Sequence, residues 1–327
     1  MTPIIDPKTS VLRFRRDRTF TIVQFTDLHW RDGGGLDELT KSLMELVLDA
    51  ERPDIVVLTG DVLDGGDCAD PANSWRQAVQ AIESRGVPWA AVFGNHDDEG
   101  SLSRAELMAV QQSCRGCLSE PGPTDLPGVG NFVLLIRGST TDEPAGTLYM
   151  LDSRAYAGNG SADGYAGVSA EQIVWFRAAS SVLRQTEIVG LAFFHVPLHE
   201  FDDAFNLGLG QGMMLEPVCC PCENAGLFAA LRESRHVIGA FAGHDHLNDF
   251  DATLEGIRLC YGRVSGFGGY GRDNFQPGAR VIRLHEGSRE FTTWLRLADG
   301  SDVHQSVAKP RGRATRKRGR AQPHGHN

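Results

Sequence analysis

No stretch of this chain stays apolar for the roughly 20 residues a membrane-crossing helix requires, and residues 1–10 lack the basic-then-apolar layout of a secretory leader. These absences exclude a transmembrane-helix protein and lead to the expectation of a soluble, cytoplasmic one. A complete disulfide framework is missing too, because seven cysteines are an odd number. Cys114 with Cys117, and Cys219 with Cys220 and Cys222, form two clusters that could be combined into a structural zinc site. Neither has the flanking spacing of a zinc ribbon or finger, so reduced thiols are the expectation.

Acidic residues are absent after Asp302, whereas Lys309, Arg311, Arg313, Arg316, Lys317, Arg318 and Arg320 crowd the last residues. Seven of the 32 basic residues therefore sit in a tail over 308–327, and the body is more acidic than the net charge of −10 suggests. An acidic body disfavours broad nucleic-acid binding. The tail could touch nucleic acid or acidic lipid, but a solvated, disordered segment is the expectation, and it is given no function.

What is present is an alternation of apolar runs and amphipathic stretches. Phe20–Phe25, Ile55–Thr59, Pro88–Phe93, Phe132–Ile136, Thr147–Leu151, Ile188–Phe194 and Val237–Phe241 read as buried strands. Val11–Phe14 reads as a strand paired with Phe20–Phe25 across Arg15–Thr19. Between the strands, Leu36–Ala50 places Leu36, Leu39, Leu43, Leu46, Val47 and Ala50 on one helical face. Ser103-Arg-Ala-Glu106 and Ser169-Ala-Glu-Gln172 are capping boxes that open further helices, and Cys222–Glu233 is a fourth helical candidate. After Leu254 only strands follow, at Ile257–Tyr261, Ala279–Leu284 and Phe291–Leu297. The fold expected is α/β: two mixed β-sheets packed as a sandwich flanked by helices, in one domain over 1–307.

The strand exits carry the chemistry. In Asp27-Leu-His29, alternation along an extended chain puts both side chains on one face, where they can grip one cation. Asp61 follows Gly60, which permits a sharp exit from the preceding strand, and its two oxygens could bridge two ions. Gly94-Asn95-His96-Asp97 offers an amide oxygen and an imidazole with a proton, and Asp97 could orient that imidazole. His195 ends another apolar run. Gly243-His244-Asp245-His246 supplies two imidazoles that two nearby ions could share. His199, His236, His285, His304, His324 and His326 lack this context and read as structural or exposed, although His199 lies four residues from His195. Arg31–Gly35, Asp64–Ser74, Leu198–Pro221 and Gly262–Gly278 are loops expected to shape specificity.

The ordered set D-x-H, G-D, G-N-H-D, an isolated H and G-H-D-H, over positions 27–246, resembles the calcineurin-like metallophosphoesterase superfamily. Phe193–Leu198, Cys222–Phe228, Gly243–Phe250 and the glycine-rich Tyr261–Gly271 are similar to its small purple-acid-phosphatase-like branch. The resemblance implies a four-layer fold with two metal ions. One would be held by Asp27, His29, Asp61 and His246, the other by Asp61, Asn95, His195 and His244, with His96 near the leaving group. It implies hydrolysis of a small phosphate ester, first a phosphomonoester, by in-line attack of a metal-bridging hydroxide. A phosphodiester such as a cyclic nucleotide is the alternative substrate, and a metal-bearing interaction module without catalysis the alternative class. Purple acid phosphatases place a tyrosine three residues after the bridging aspartate, and here that residue is Asp64. A purple ferric-tyrosinate centre is therefore not expected, and the mixed N and O donors suit iron, zinc or manganese.

Overall fold

Alternation along Phe20–Phe25 sends every second side chain to the opposite face, and both faces are buried. A strand covered on both sides needs a layer on each side, and the computed structural model, which describes residues 12–158, 163–183 and 188–305, shows those layers. The basic tail over 308–327 lies outside the described residues.

Strand β1 (Thr19–Phe25) sits inside a six-stranded sheet, parallel to β2 (Ile55–Thr59), which is in turn parallel to β3 (Trp89–Val92). On its other side run three antiparallel partners in succession, β11 (Gly278–His285), β12 (Phe291–Leu297) and β13 (Asp302–Val303). The second sheet has seven strands in the order β4 (Phe132–Arg137), β5 (Pro144–Met150), β6 (Val189–Phe193), β8 (Val237–Ala242), β10 (Ile257–Tyr261), β9 (Asp251–Leu254) and β7 (Gly210–Gln211). Within it β5, β6, β8 and β10 are parallel. This is the expected pair of mixed sheets.

Packing follows the strand alternation. Phe20, Ile22, Ile55, Val57, Ala90 and Val92 meet Leu134, Leu148, Leu191, Phe193 and Phe241 between the sheets. Their chain neighbours Val23, Phe25, Val56 and Leu58 turn outward to α1 (Gly35–Glu51), α2 (Pro71–Ala78), α3 (Gln80–Glu83) and α4 (Arg104–Gln112), with Trp75 and Trp89 in that layer. On the far side α5 (Ala170–Leu183), α6 (His199–Asn206) and α7 (Leu227–Ser234) cover the second sheet through Phe176, Phe201 and Leu231.

Several expectations need correction. Residues 12–14 do not pair with β1; Arg13 forms a lone bridge with Arg137 in the other sheet, and Phe14 N–H donates to the Arg137 carbonyl. The cause is competition for the β1 edge, which β11 fills with six paired positions. The buried face of α1 is Thr40, Leu43, Met44, Val47 and Leu48, while Leu36 and Leu39 are exposed. The stripe lies one residue further round because buried Asp37 turns inward to accept the backbone N–H groups of Arg31, Gly33 and Gly34. The helix expected from Cys222 begins only at Leu227, and α6 lies inside what reads as the loop Leu198–Pro221. Both capping boxes form, with Ser103 and Glu106 closing one and Ser169 and Gln172 the other.

Candidate metal centre

Seven parallel strands end on one edge of the two sheets, and the polar motifs occupy the turns just after five of them. Asp27 and His29 follow β1, Asp61 follows β2, Asn95 and His96 follow β3, His195 follows β6, and His244 and His246 follow β8. Ligand sites in open parallel sheets collect at such carboxyl ends.

Two groups of donors result: Asp27 with His29 and His246, and Asp61 with His195 and His244. All six residues are buried, and within each group the donor atoms lie within 4.8 Å of one another. His29 Nε2 stands 3.0 Å from His246 Nε2, which is 3.6 Å from Asp27 Oδ1. In the second group His195 Nε2 is 3.1 Å from Asp61 Oδ2, 3.2 Å from His244 Nδ1 and 3.2 Å from the amide oxygen of Asn95. Asp61 Oδ2 also lies 3.9 Å from His29 Nε2, so one oxygen faces both groups. Its other oxygen accepts the His96 backbone N–H at 2.8 Å.

The tautomers settle what these nitrogens offer. His195 Nδ1 donates to the Thr59 carbonyl at 2.8 Å, and His246 Nδ1 to the Tyr270 carbonyl at 2.9 Å. In each neutral ring the Nε2 lone pair is then left pointing into the cluster. Acceptors converge on acceptors, an arrangement that costs free energy unless a proton or cation lies between them. The donor set therefore fits two cations. Among themselves, these groups perturb one another strongly. Burial pushes His29 down, and burial reinforced by His195 pushes His244 well down. Burial would also depress His195, but the Asp61 carboxylate beside it outweighs that and raises it to about 9. Asp61, which burial alone would raise, is held well below the usual carboxylate range chiefly by His195.

The backbone is strained where the donors sit. Asp27, His29, Asp61 and His244 have φ of 54°, 46°, 48° and 78°, in the left-handed region that L residues visit at a cost of about 1–2 kcal/mol. Gly60, at φ 89°, makes the turn into Asp61, and a Cβ there would strike the His195 ring. Backbone and side chains are packed too closely at this point for any residue but glycine.

Asp97 does not orient His96. It is buried beneath the turn and accepts backbone N–H groups from Gly94, Leu63 and Asp61 at 2.7, 2.8 and 3.1 Å. Three converging donors outcompete one half-exposed imidazole, and Asp97 serves as a brace that ties the β2 and β3 exits together. Burial, reinforced by the Asp61 charge, raises it to about 7. The partner of His96 is Glu99, whose Oε2 accepts from His96 Nδ1 at 2.6 Å.

Other contacts fall where spacing gives no hint. Tyr156 accepts from the Asn95 amide nitrogen at 3.1 Å, which turns the amide oxygen toward His195. Tyr165 meets His244 edge-on with centroids 4.3 Å apart, and Tyr270 stacks on His246 at 3.9 Å. Buried Arg104 pairs with Asp152 and donates to the Gly94 carbonyl at 2.6 Å. The tyrosines are three of only five in the chain, and that concentration is the single signal that points to them. Asp64 accepts from the Arg31 guanidinium at 2.8 Å. All seven cysteines are free, and among the described residues none joins a metal-ligating group. His199 opens α6, and His236 is buried against the Tyr149 hydroxyl, 2.7 Å away, so neither lies in the cluster.

Comparison with known proteins agrees with this geometry. The chain is 31% identical to a probable inactive purple acid phosphatase 29 of Arabidopsis thaliana, over 90% of this chain and 86% of that protein. It is 33% identical to the phosphatase DCR2 of Saccharomyces cerevisiae, over 90% of this chain but only 56% of the yeast protein. Its fold is similar to that of a dimetal phosphatase from Danio rerio, with a TM-score of 0.57 at 16% identity, covering 84% of this chain and 98% of that one. A model of the calcineurin-like phosphoesterase family matches residues 20–248, so the chain belongs to that family.

Proposed function

We propose that this protein hydrolyses phosphomonoesters at a pair of cations. Asp27, His29, Asp61 and His246 would hold one and Asp61, Asn95, His195 and His244 the other, with Asp61 shared through Oδ2. The observation that carries the reading is the meeting of two buried donor groups at that oxygen, with a half-exposed imidazole, His96, at the rim. When bound, such a pair supplies a water of lowered pKa and neutralises charge on the phosphoryl oxygens.

The chain's own groups do the rest. His195 and His246, locked by backbone carbonyls, hold the donor geometry without rearrangement. Burial would lower His96, but Asp61 and Glu99 outweigh it and raise its affinity for a proton. With Nδ1 engaged by Glu99, Nε2 is the nitrogen left to protonate the departing oxygen, help worth about 10² to 10⁴ in rate. Asp64, ion-paired with Arg31, stands where a ligating tyrosine would give the purple colour, so an iron, zinc or manganese pair without that tyrosinate fits. No helix among the described residues is long and apolar enough to cross a membrane. Seven free thiols suit a reducing, cytoplasmic setting.

The plant relative is named a probable inactive phosphatase, which favours a second reading without turnover; a metal-bearing interaction module is the form it would take here. Against it stands the complete donor set of this chain. Purified protein reconstituted with iron, zinc or manganese should cleave p-nitrophenyl phosphate faster than bis(p-nitrophenyl) phosphate. Faster cleavage of the diester would overturn the substrate class, and no turnover of either with both ions bound would favour the module.

A further inference from the structure

His96 and Asn95 are neighbours in sequence with different tasks, and one pair of side chains reaches both. The segment after β3 turns back so that Glu99 N–H donates to the His96 carbonyl, which brings the Glu99 side chain beside the imidazole. Glu99 Oε2 takes the His96 Nδ1 proton at 2.6 Å, and Oε1 takes the Tyr156 hydroxyl proton at 2.8 Å. The same Tyr156 oxygen accepts from the Asn95 amide nitrogen at 3.1 Å. Tyr156 comes from a distant loop, where it faces Tyr165 across an isolated antiparallel bridge, its ring stacked on Tyr165 at 5.9 Å. Tyr165 in turn packs edge-on against His244. An imidazole, an amide and a second imidazole are thus fixed by one continuous run of contacts.

Each link has a chemical direction. A phenol that accepts from Asn95 must spend its own proton elsewhere, and Glu99 is there to take it. That fixes the amide with its oxygen toward His195; the reverse orientation would present NH₂ to a cation. A carboxylate that accepts from His96 Nδ1 fixes the imidazole tautomer and its plane. Glu99 touches no reacting atom.

We propose that Glu99 and Tyr156 are positioning residues that form one clamp, Glu99 aiming the proton donor and Tyr156 aiming the amide ligand. The inference rests on the hydrolase reading above. In the step concerned, the bond from phosphorus to the leaving oxygen breaks as that oxygen takes the proton from His96 Nε2. The attacking water forms the new bond to phosphorus and releases its proton to solvent, from which His96 is reprotonated. Proton donation matters most when the leaving alcohol is weakly acidic, so loss of aim should depend on the leaving group.

The test uses the full chain loaded with zinc, its Glu99→Gln and Tyr156→Phe variants, and two esters, p-nitrophenyl phosphate and ethyl phosphate. In Glu99→Gln, kcat on ethyl phosphate should fall about tenfold or more while kcat on the aryl ester changes by less than about threefold, with KM nearly constant. Equal losses on the two esters, or no loss, would overturn the Glu99 half. Tyr156→Phe should weaken one of the two zinc sites about tenfold in competition with a chromophoric chelator. Two unchanged zinc affinities would overturn the Tyr156 half. If the unaltered protein with two zinc ions cleaves neither ester, the hydrolase reading fails and takes the Glu99 half with it, while the chelator titration still decides the role of Tyr156.

Discussion

The two donor groups are made of similar atoms but are held by different parts of the molecule. Around Asp61, His195 and His244 the supports come from regular structure: the Thr59 carbonyl ends β2, and Asp97 ties the β2 and β3 exits by three backbone N–H groups. Around Asp27, His29 and His246 one wall is the loop over 262–278, whose Tyr270 stacks on His246 while 53% exposed. The donors themselves are buried in both pockets. The first pocket, that of Asp27, leans on the exposed Tyr270 ring for its wall, whereas the second, that of Asp61, although Tyr156 and Tyr165 reach it from a loop, is braced by strand ends, and loops open locally at lower free energy than paired strands. A chelator should therefore empty the Asp27 pocket before the Asp61 pocket.

The comparison breaks most completely at the shared oxygen. Asp61→Asn should remove the ion of the second pocket, weaken the first, and reduce turnover to background, as read by metal content per chain alongside rate. Retention of both ions and full rate would make the pockets independent. Next in size, His96→Ala should leave both ions in place and lower turnover of ethyl phosphate by about 10² or more. If that variant turned over normally, His96 would be only a neighbour of the pockets.

A pH titration sharpens the contrast. His195, raised to about 9, must lose its proton to bind a cation, so protons compete with the ion at the second pocket below that value. Affinity there should climb roughly tenfold per pH unit up to about pH 9. His29, driven down by burial, adds no such competition at the first pocket near neutral pH. Calorimetry in buffers of different ionisation enthalpy counts the protons released, and a proton-free second site would contradict the assignment. The smallest effect belongs to Tyr270→Ala, which should weaken the first pocket by about tenfold and leave the second alone. Equal weakening of both would erase the distinction.

Sequence legibility followed the same divide. Donors fixed by strand exits lie in short motifs after apolar runs, so Asp27, Asp61 and the rest are conspicuous in the sequence alone. Glu99, Tyr156 and Tyr270 come from turns and loops whose partners are set by tertiary packing, and no spacing reports that. Asp97 shows how adjacency misleads: His96 is its neighbour in the chain, but a buried carboxylate is satisfied by whichever N–H groups face it, and those belong to Gly94, Leu63 and Asp61. In the fold, runs such as Ile55–Thr59 were plain because both faces are apolar. The face of α1 was displaced by Asp37, whose capping bonds outweigh its hydrophilicity, and residues 12–14 read as a β1 partner because sequence does not reveal that distant β11 holds that edge.

The left-handed backbone at Asp27, His29, Asp61 and His244 bears on how such a protein could change over generations. Glycine relaxes a residue held at positive φ. At Asp27 and Asp61 that relief is opposed, because the carboxylates accept the His244 and His96 backbone N–H groups and glycine would orphan them. The two aspartates are thus held by the turns they brace, whereas His29 and His244 have ring packing and a cation to set against the strain of their backbone.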